Sequence, residues 1–235
     1  MEKVIYLVWR DPGVDIETFG RTLRDGLAPR LRALASVRSL RINVADAAVA
    51  AGSGIKQTFM DPPLETVVQV WLDSAIAHLR KPVDEAIAAH TARHAAYLVT
   101  ESQPLRNLQH PPQPGKRTEG FSQIALLRKP QRMDHAQWLD IWHNSHTRVA
   151  VETQSNFEYI QNVVIRPLSA DAPPLDGLVE ECFPMAALTD PFTFFDAPGD
   201  QAKFDANLKT MMDSVNRFID MARIDVVPTS QYCLH

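Results

Sequence analysis

Two histidines stand three residues apart in the segment WHNSH (142–146), which follows Trp138 in a stretch with helical periodicity. At about 100° per residue, Trp138 and Trp142 share one face of the helix and His146 lies at its edge, whereas His143 turns toward the polar side. A partly buried His146 would be neutral near pH 7 and could accept a proton from a substrate. The alternative is a histidine at the edge of the core whose ring bonds to a backbone carbonyl.

Tyr159 and Asn162 follow in a predicted strand and are candidate partners of His146. A phenol or an amide can donate a hydrogen bond to an oxygen on which negative charge develops. Positions three apart point to opposite faces of a regular strand, so both side chains face one cavity only if a bulge intervenes. The sequence leaves open which of the two faces His146.

Further candidates could bind a substrate. Arg128 stands at the end of a predicted strand, where it could bind a carboxylate or phenolate or instead form a structural ion pair. Trp138 and Trp142 could form an aromatic wall for a planar substrate or could belong to the core. The segment DPFTFFDAPGD (190–200) could be a lid over an apolar pocket or a hydrophobic plug.

The elements that must position these residues fall into two halves. Residues 104–120 hold four prolines and two glycines, a composition that disfavours helices and central strands and predicts a linker. Residues 1–103 and 121–235 each read as β-α-β-β-α-β, which predicts an α+β protein with two tandem ferredoxin-like lobes. We expect the antiparallel sheets of the two lobes to pair into a pseudo-dimeric α+β barrel.

An internal duplication is the basis of the two-lobe prediction. Asp15 and Asp134 each stand where a helix begins, and Gln137 makes the second a capping-box variant. Aligning these aspartates (134 − 15 = 119) places Leu27 opposite His146. The first lobe therefore carries an apolar residue where the second carries the histidine, and we expect a single competent site in the second lobe.

The motifs of the second half resemble the EthD-like family of the dimeric α+β barrel superfamily. They are the RKP turn (128–130), the tryptophan and histidine four residues apart in WHNSH, and the strand segment YIQN (159–162). The resemblance covers roughly residues 121–165 and makes His146 the family histidine. It implies a cofactor-independent enzyme with neither cofactor nor metal, acting on a small aromatic or polyketide-like molecule. Related proteins close the same barrel by dimerising, so the resemblance implies an internal pair here.

Charge and cysteine content limit the binding partners and the cellular location that we expect. Lys and Arg number 24 against 28 Asp and Glu, a net charge of −4 that gives no reason to expect nucleic acid or a membrane surface. Neither a signal peptide nor a membrane span is predicted, and two cysteines exclude a disulfide framework, so we expect a cytoplasmic protein. His90 and His94 have the spacing of a helical metal pair, but no third ligand is evident. A homodimer of the two-lobe chain is left open.

From these features we predict a lyase of aromatic compound catabolism that dehydrates or decarboxylates its substrate by proton transfer. His146 would act as general base and then acid, with Tyr159 or Asn162 holding the oxyanion. The alternatives are a non-catalytic small-molecule-binding accessory protein of a catabolic pathway, a cofactor-free cyclase, isomerase or oxygenase of the same superfamily, and a haem-binding protein with His146 as the iron ligand.

Overall fold

The structure is a computed structural model and describes residues 1–234. Eight antiparallel strands form one closed barrel in the order β1-β3-β2-β8-β5-β7-β6-β4. The strands are β1 (Glu2–Trp9), β2 (Val37–Val44), β3 (Thr66–Leu72), β4 (Arg93–Leu105), β5 (Phe121–Leu127), β6 (Glu158–Pro167), β7 (Gly177–Phe183) and β8 (Asp225–Cys233). Most are buried on both faces, and β1 and β3 are nearly continuously apolar, whereas β5–β8 carry buried polar residues as well.

The closed barrel corrects the predicted fold class. The prediction of two tandem ferredoxin-like lobes, each with its own sheet, in a pseudo-dimeric α+β barrel is wrong, because strands of the two halves belong to one closed, hydrogen-bonded barrel of eight antiparallel strands. β2 pairs with β8 from Arg41↔Cys233 to Val44↔Ser230, and β4 pairs with β6 from Tyr97↔Pro167 to Leu105↔Tyr159. The order of elements along a sequence does not specify which distant strands pair, and these two ladders decide the architecture.

Helices cover the outside of the barrel. They are α1 (Ile16–Arg21), α2 (Ala28–Arg32), α3 (Ala77–Ala88), α4 (His135–Ile141), α5 (Thr147–Thr153), α6 (Pro191–Phe194) and α7 (Gln201–Phe218). A π-helical segment joins α1 to α2 (Thr22–Leu27) and another joins α4 to α5 (Trp142–His146), and short 3₁₀ segments lie at Ala47–Gly54, Met185–Leu188 and Met221–Arg223. Among the residues described, no helix is both long and apolar enough to cross a membrane.

The predicted helix starts are confirmed. The Asp15 carboxylate accepts a hydrogen bond from the backbone N–H of Thr18, at 2.9 Å. Asp134 accepts from the backbone N–H of Gln137 at 2.8 Å, and the Gln137 side chain bonds back to the Asp134 backbone, which completes the capping box. Each cap satisfies N–H groups that have no partner within the helix, so the sequence fixes where α1 and α4 begin.

Three apolar clusters make up most of the core. One lies between the outer face of β1–β4 and helices α1–α3, and another lies between β5–β8 and helices α4, α5 and α7. The third fills part of the barrel interior with side chains from both halves, including Ile5, Tyr97 and Ile124. The rest of the interior is polar: Arg41 pairs with Glu180 at 2.7 Å, and Gln231 also donates to Glu180.

The segment between β4 and β5 lies along β8. The backbone N–H groups of Gly115 and Thr118 donate to the carbonyls of Cys233 and Gln231, at 2.8 and 2.9 Å. Gly115 has a φ of +75°, a backbone conformation that glycine adopts without strain. The segment is irregular, as its prolines predict, and it remains a prediction that residues 104–120 separate two domains.

Candidate active site

A cavity of about 170 Å³ lies between the outer face of β5–β8 and helix α7. Its wall is mostly apolar and is made of Ala125, Leu127, Val179, Phe194, Phe195, Met211, Met212, Val215, Ile219, Met221, Ile224 and Val226. Its polar lining consists of Gln57, Gln123, His146, Gln154, Tyr159 and Glu181. An apolar cavity with a few converging polar groups is typical of a small-molecule site.

Three of the polar residues form one row across neighbouring strands. Glu181 on β7 is the direct cross-strand partner of Gln123 on β5 and of Tyr159 on β6. Directly opposed residues in antiparallel strands have their side chains on the same face about 5 Å apart. The register of the barrel therefore brings an amide, a carboxyl and a phenol together at the wall of the cavity.

Glu181 is a buried carboxyl that has no cationic partner within residues 1–234. Its side chain accepts hydrogen bonds from Asn156 Nδ2 at 3.1 Å and from Gln123 Nε2 at 3.4 Å. Burial raises the pKa of Glu181 to about 7, and the two amide donors offset only part of this effect. A carboxyl that changes its protonation state near neutral pH can both remove and return a proton.

His146 lies in the π-helical segment between α4 and α5 and is only 7% exposed. Its Nδ1 atom is 3.0 Å from the hydroxyl of Ser214 on α7, and its ring packs against Phe218. Burial, and then the positive charge of Arg217, lower the pKa of His146 to about 4. The imidazole is therefore neutral at pH 7, as predicted, and because Nδ1 is engaged with Ser214, Nε2 is the atom available to a ligand.

Tyr159 faces the same cavity as His146. Its hydroxyl oxygen accepts a hydrogen bond from Trp142 Nε1 at 3.3 Å, and the Gln161 side chain also lies within hydrogen-bonding reach of the hydroxyl. Burial, reinforced by the charge of Glu181, raises the pKa of Tyr159. Tyr159 therefore keeps its proton at neutral pH and can serve as a hydrogen-bond donor.

Asn162 does not line the cavity. It lies on the opposite face of β6, fully buried in the barrel interior, and its Nδ2 donates to the Leu178 carbonyl at 3.2 Å. The strand continues without a bulge between Tyr159 and Asn162 in its ladder with β7. The three-residue separation therefore puts the two side chains on opposite faces, and only Tyr159 remains a candidate partner of His146.

The three residues predicted to bind substrate lie outside the cavity wall. Arg128 is 3% exposed, and its guanidinium bonds to the Asp225 carboxylate at 2.9 Å and to the Pro174 carbonyl at 3.1 Å. Trp138 and Trp142 are fully buried and pack against each other at a ring separation of 4.9 Å. Arg128 is therefore a structural ion pair and the tryptophans are core, although Trp142 contacts the site through the Tyr159 hydroxyl.

Glu181, Gln123 and Ser214 are site residues that were not predicted from the sequence. Glu181 carried a usable signal, because the strand segment GLVEECF (177–183) contains two adjacent carboxylates in an otherwise apolar run. Because successive side chains of a strand point to opposite faces, Glu180 lies in the barrel interior, where it pairs with Arg41, and Glu181 faces the cavity. Gln123 and Ser214 have no distinguishing local pattern, because strand register and helix packing give them their neighbours.

The other half of the barrel repeats the row with apolar residues. Val70 on β3 is the cross-strand partner of Val4 on β1 and of Leu40 on β2, and all three are fully buried. Leu27, which aligns with His146, also lies in a π-helical segment and is fully buried. The fold is thus stable at these positions with an entirely apolar core, and the polar row is not a requirement of the architecture.

Two further sequence predictions concern a metal site and the aromatic segment 190–200. Within residues 1–234, no cluster of three or more His, Cys, Asp or Glu side chains is arranged to hold a metal ion. Phe194 and Phe195 line the cavity, whereas Phe192 stacks on Phe204 of α7 at 4.6 Å. The aromatic segment thus forms one wall of the cavity, and its role as a lid stays a prediction.

Comparisons with known proteins agree with the family resemblance. The family model of the EthD domain matches residues 130–222. The fold is similar to the crystal structure of an anthrone oxidase-like protein, with a TM-score of 0.58 at 8% identity over 100% of this chain and 91% of that chain. A candidate monooxygenase from Lactobacillus acidophilus aligns with a TM-score of 0.45 at 7% identity over 99% of this chain and 95% of that one.

A second candidate monooxygenase, from Fusobacterium nucleatum, aligns with a TM-score of 0.49 at 9% identity over 100% of this chain and 92% of that chain. No curated protein matches the sequence. At these identities the structural similarity concerns the fold alone. The family match covers the π-helical segment with His146 and the row residues Tyr159 and Glu181. The predicted resemblance is confirmed by the match of the EthD family model to residues 130–222 of this chain.

Proposed function

We propose that the chain is a cofactor-independent enzyme that removes a proton from a small, largely apolar substrate, and that Glu181 is the general base. The observation that carries this proposal is the polar row of Gln123, Glu181 and Tyr159 facing a cavity, where the corresponding row of the same barrel is apolar. A buried carboxyl without a cation lowers the stability of the protein at neutral pH. Its presence in the cavity wall is therefore best explained by chemistry.

The pKa values favour Glu181 over His146 as the base. A general base is most effective when its pKa lies near the working pH. The pKa of Glu181 is about 7, whereas that of His146 is about 4, so the imidazole holds an added proton poorly. In this scheme Ser214 donates to Nδ1 of His146, and the Nε2–H group donates to the substrate oxygen on which negative charge develops.

The reaction that we propose is a dehydration, the first of the two lyase reactions predicted from the sequence. Glu181 takes a proton from the carbon next to a carbonyl, and the enolate oxygen accepts hydrogen bonds from His146 Nε2–H and Tyr159 O–H. The electron pair then forms the carbon–carbon double bond as the β-hydroxyl leaves. The proton held by Glu181 goes to that hydroxyl, so the products are an unsaturated carbonyl compound and water.

Decarboxylation suits the cavity less well. A decarboxylase must hold a substrate carboxylate, which requires a cation or several hydrogen-bond donors. The cavity wall, as far as the structure describes it, contains no lysine or arginine, and the Glu181 carboxylate would repel a second negative charge. The substrate is thus a neutral molecule, and an aromatic ring would match the apolar lining.

Deuterium exchange tests the proton-abstraction step. The wild type is incubated in D₂O with a panel of aromatic β-hydroxy ketones, and loss of the signal of the C–H next to the carbonyl is followed by NMR, with loss of water followed by mass spectrometry. We expect exchange by the wild type and a decrease of roughly 10²–10⁴-fold in Glu181→Gln. Glu85→Gln, at an exposed position of α3, is the matched control and should exchange like the wild type.

Two results would overturn the proposal. One is exchange by Glu181→Gln at the rate of the wild type, which would remove the base assignment. The other is tight binding of panel members by the wild type without exchange or product, which would support the accessory binding protein. A Soret band after addition of haem, lost in His146→Ala, would instead support the haem-binding alternative.

A further inference from the structure

A second, larger cavity adjoins the site and has a different chemical character. It has a volume of about 570 Å³ and shares five lining residues with the inner cavity. The shared residues are Gln57, Gln123, Phe194, Phe195 and Val226. The remaining wall includes Ala51, Ile55, Leu188 and Pro191, and none of the described residues that line this outer cavity is ionisable. The two cavities are consecutive spaces, with the titratable groups confined to the inner one.

The outer cavity is built by both halves of the chain. Ala51 belongs to the 3₁₀ segment Ala47–Gly54 that follows β2, and Leu188 belongs to the 3₁₀ segment Met185–Leu188 that follows β7. The two segments pack closely, because a Cβ atom at Gly52 would collide with the Leu188 side chain. Val49 and Leu188 also share an apolar cluster with Phe121. This wall is therefore packed against the barrel.

The volumes restrict what each cavity can hold. An engineered protein cavity of about 150 Å³ accommodates one benzene molecule, so the inner cavity of about 170 Å³ has room for a single ring. A substrate of one ring would leave the outer cavity unfilled. The outer cavity, at about 570 Å³, has room for a body several times larger.

We infer that the substrate is an extended, uncharged, polycyclic or similarly bulky molecule. Its reactive end occupies the inner cavity beside Glu181 and His146, and its apolar body occupies the outer cavity between the two 3₁₀ segments. The N-terminal half of the chain thus contributes to substrate binding, although the positions that correspond to the polar row are apolar in that half. The inference rests on the proposed function for the meaning of the inner cavity, but the body-binding site is testable by binding alone.

The test measures affinity against ligand length. Isothermal titration calorimetry is performed with phenol, naphthol and anthracenol, which carry the same hydroxyl on one, two and three fused rings. Each additional ring that is buried adds apolar contact worth on the order of tenfold in affinity. We expect the affinity of the wild type to rise along this series.

Two tryptophan variants locate the binding of the additional rings. Ala51→Trp fills the outer cavity and should lower the affinity for anthracenol by about tenfold or more while leaving the affinity for phenol unchanged. Ala48→Trp places the same side chain at another exposed position of the same 3₁₀ segment, outside the wall of the outer cavity. It should leave the affinities for both ligands unchanged.

The inference is overturned if anthracenol binds no more tightly than phenol, if none of the three ligands binds, or if Ala51→Trp weakens phenol and anthracenol equally. Failure of the proposed function has a different signature. In that case the length dependence and the effect of Ala51→Trp persist, while the wild type shows no deuterium exchange or Glu181→Gln retains it.

Discussion

The substitution Glu181→Gln should stabilise the protein at alkaline pH and leave its stability nearly unchanged at acid pH. The variant keeps the shape of the side chain and removes its charge. Its amide oxygen can accept the hydrogen bond from Gln123 or from Asn156. The comparison therefore isolates the ionisation of one carboxyl.

The magnitude follows from the pKa values of the folded and unfolded protein. The pKa of Glu181 is about 7 in the folded state against an ordinary value of 4.5, a difference that corresponds to about 3 kcal/mol. Below pH 4.5 both states are protonated and no penalty exists. As the pH rises from 4.5 to 7, the unfolded state releases the proton first, so the folded state becomes relatively less stable. Above pH 7 the full penalty is present.

Urea denaturation at a series of pH values between 4.5 and 8 measures this effect. The free energy of unfolding of Glu181→Gln minus that of the wild type should be near zero at pH 4.5 and reach about 3 kcal/mol at pH 8. A difference that stays constant across this range would show that Glu181 does not titrate there. Such a result would remove the reason for preferring Glu181 to His146 as the base.

Two further predictions concern neighbouring groups. Glu180→Gln, one residue away on the other face of β7, should destabilise the protein by about 3–5 kcal/mol at pH 7, because the Arg41 guanidinium loses its closest partner. Urea denaturation measures this loss, and a value below about 1 kcal/mol would contradict the importance of the ion pair. The pKa of His146 is lowered to about 4, so its imidazole NMR shifts should stay constant between pH 5 and 8. Because the folded state favours the neutral ring, the contribution of His146 to stability is lost only as the pH falls from 6.5 through 4. A titration midpoint near 6.5 would instead place the ring in solvent.

The residues predicted correctly are those whose signals are local. Asp134 and Gln137 specify the start of α4 because a capping box is complete within four residues. Helical periodicity places His146 at the edge of the apolar face and predicts partial burial, and the structure buries it, as it buries Leu27 at the aligned position. Tyr159 and Asn162 were assigned to opposite faces by alternation, which the unbroken ladder with β7 confirms.

What could not be predicted depends on contacts between distant strands. Glu181 becomes a candidate base only because β7 sets it beside Gln123 and Tyr159, and a sequence does not state that register. Closure of the barrel depends on the β2·β8 ladder, which joins residues such as Arg41 and Cys233. Arg128 at the end of a strand looked available to a ligand, but its partner Asp225 lies 97 residues further along the chain.

The closed barrel has a consequence for how copies of the chain can associate. The outermost strands of an open sheet have unpaired N–H and C=O groups to which an extended segment of another molecule can add. Here each of the eight strands has a hydrogen-bonded neighbour on both sides, so the paired lengths of the strands offer no such edge; β4 extends to Leu105, beyond the end of its ladder with β1 at Val99. Along the paired lengths, a homodimer would therefore have to form through the outer helices or loops, with contacts made by side chains.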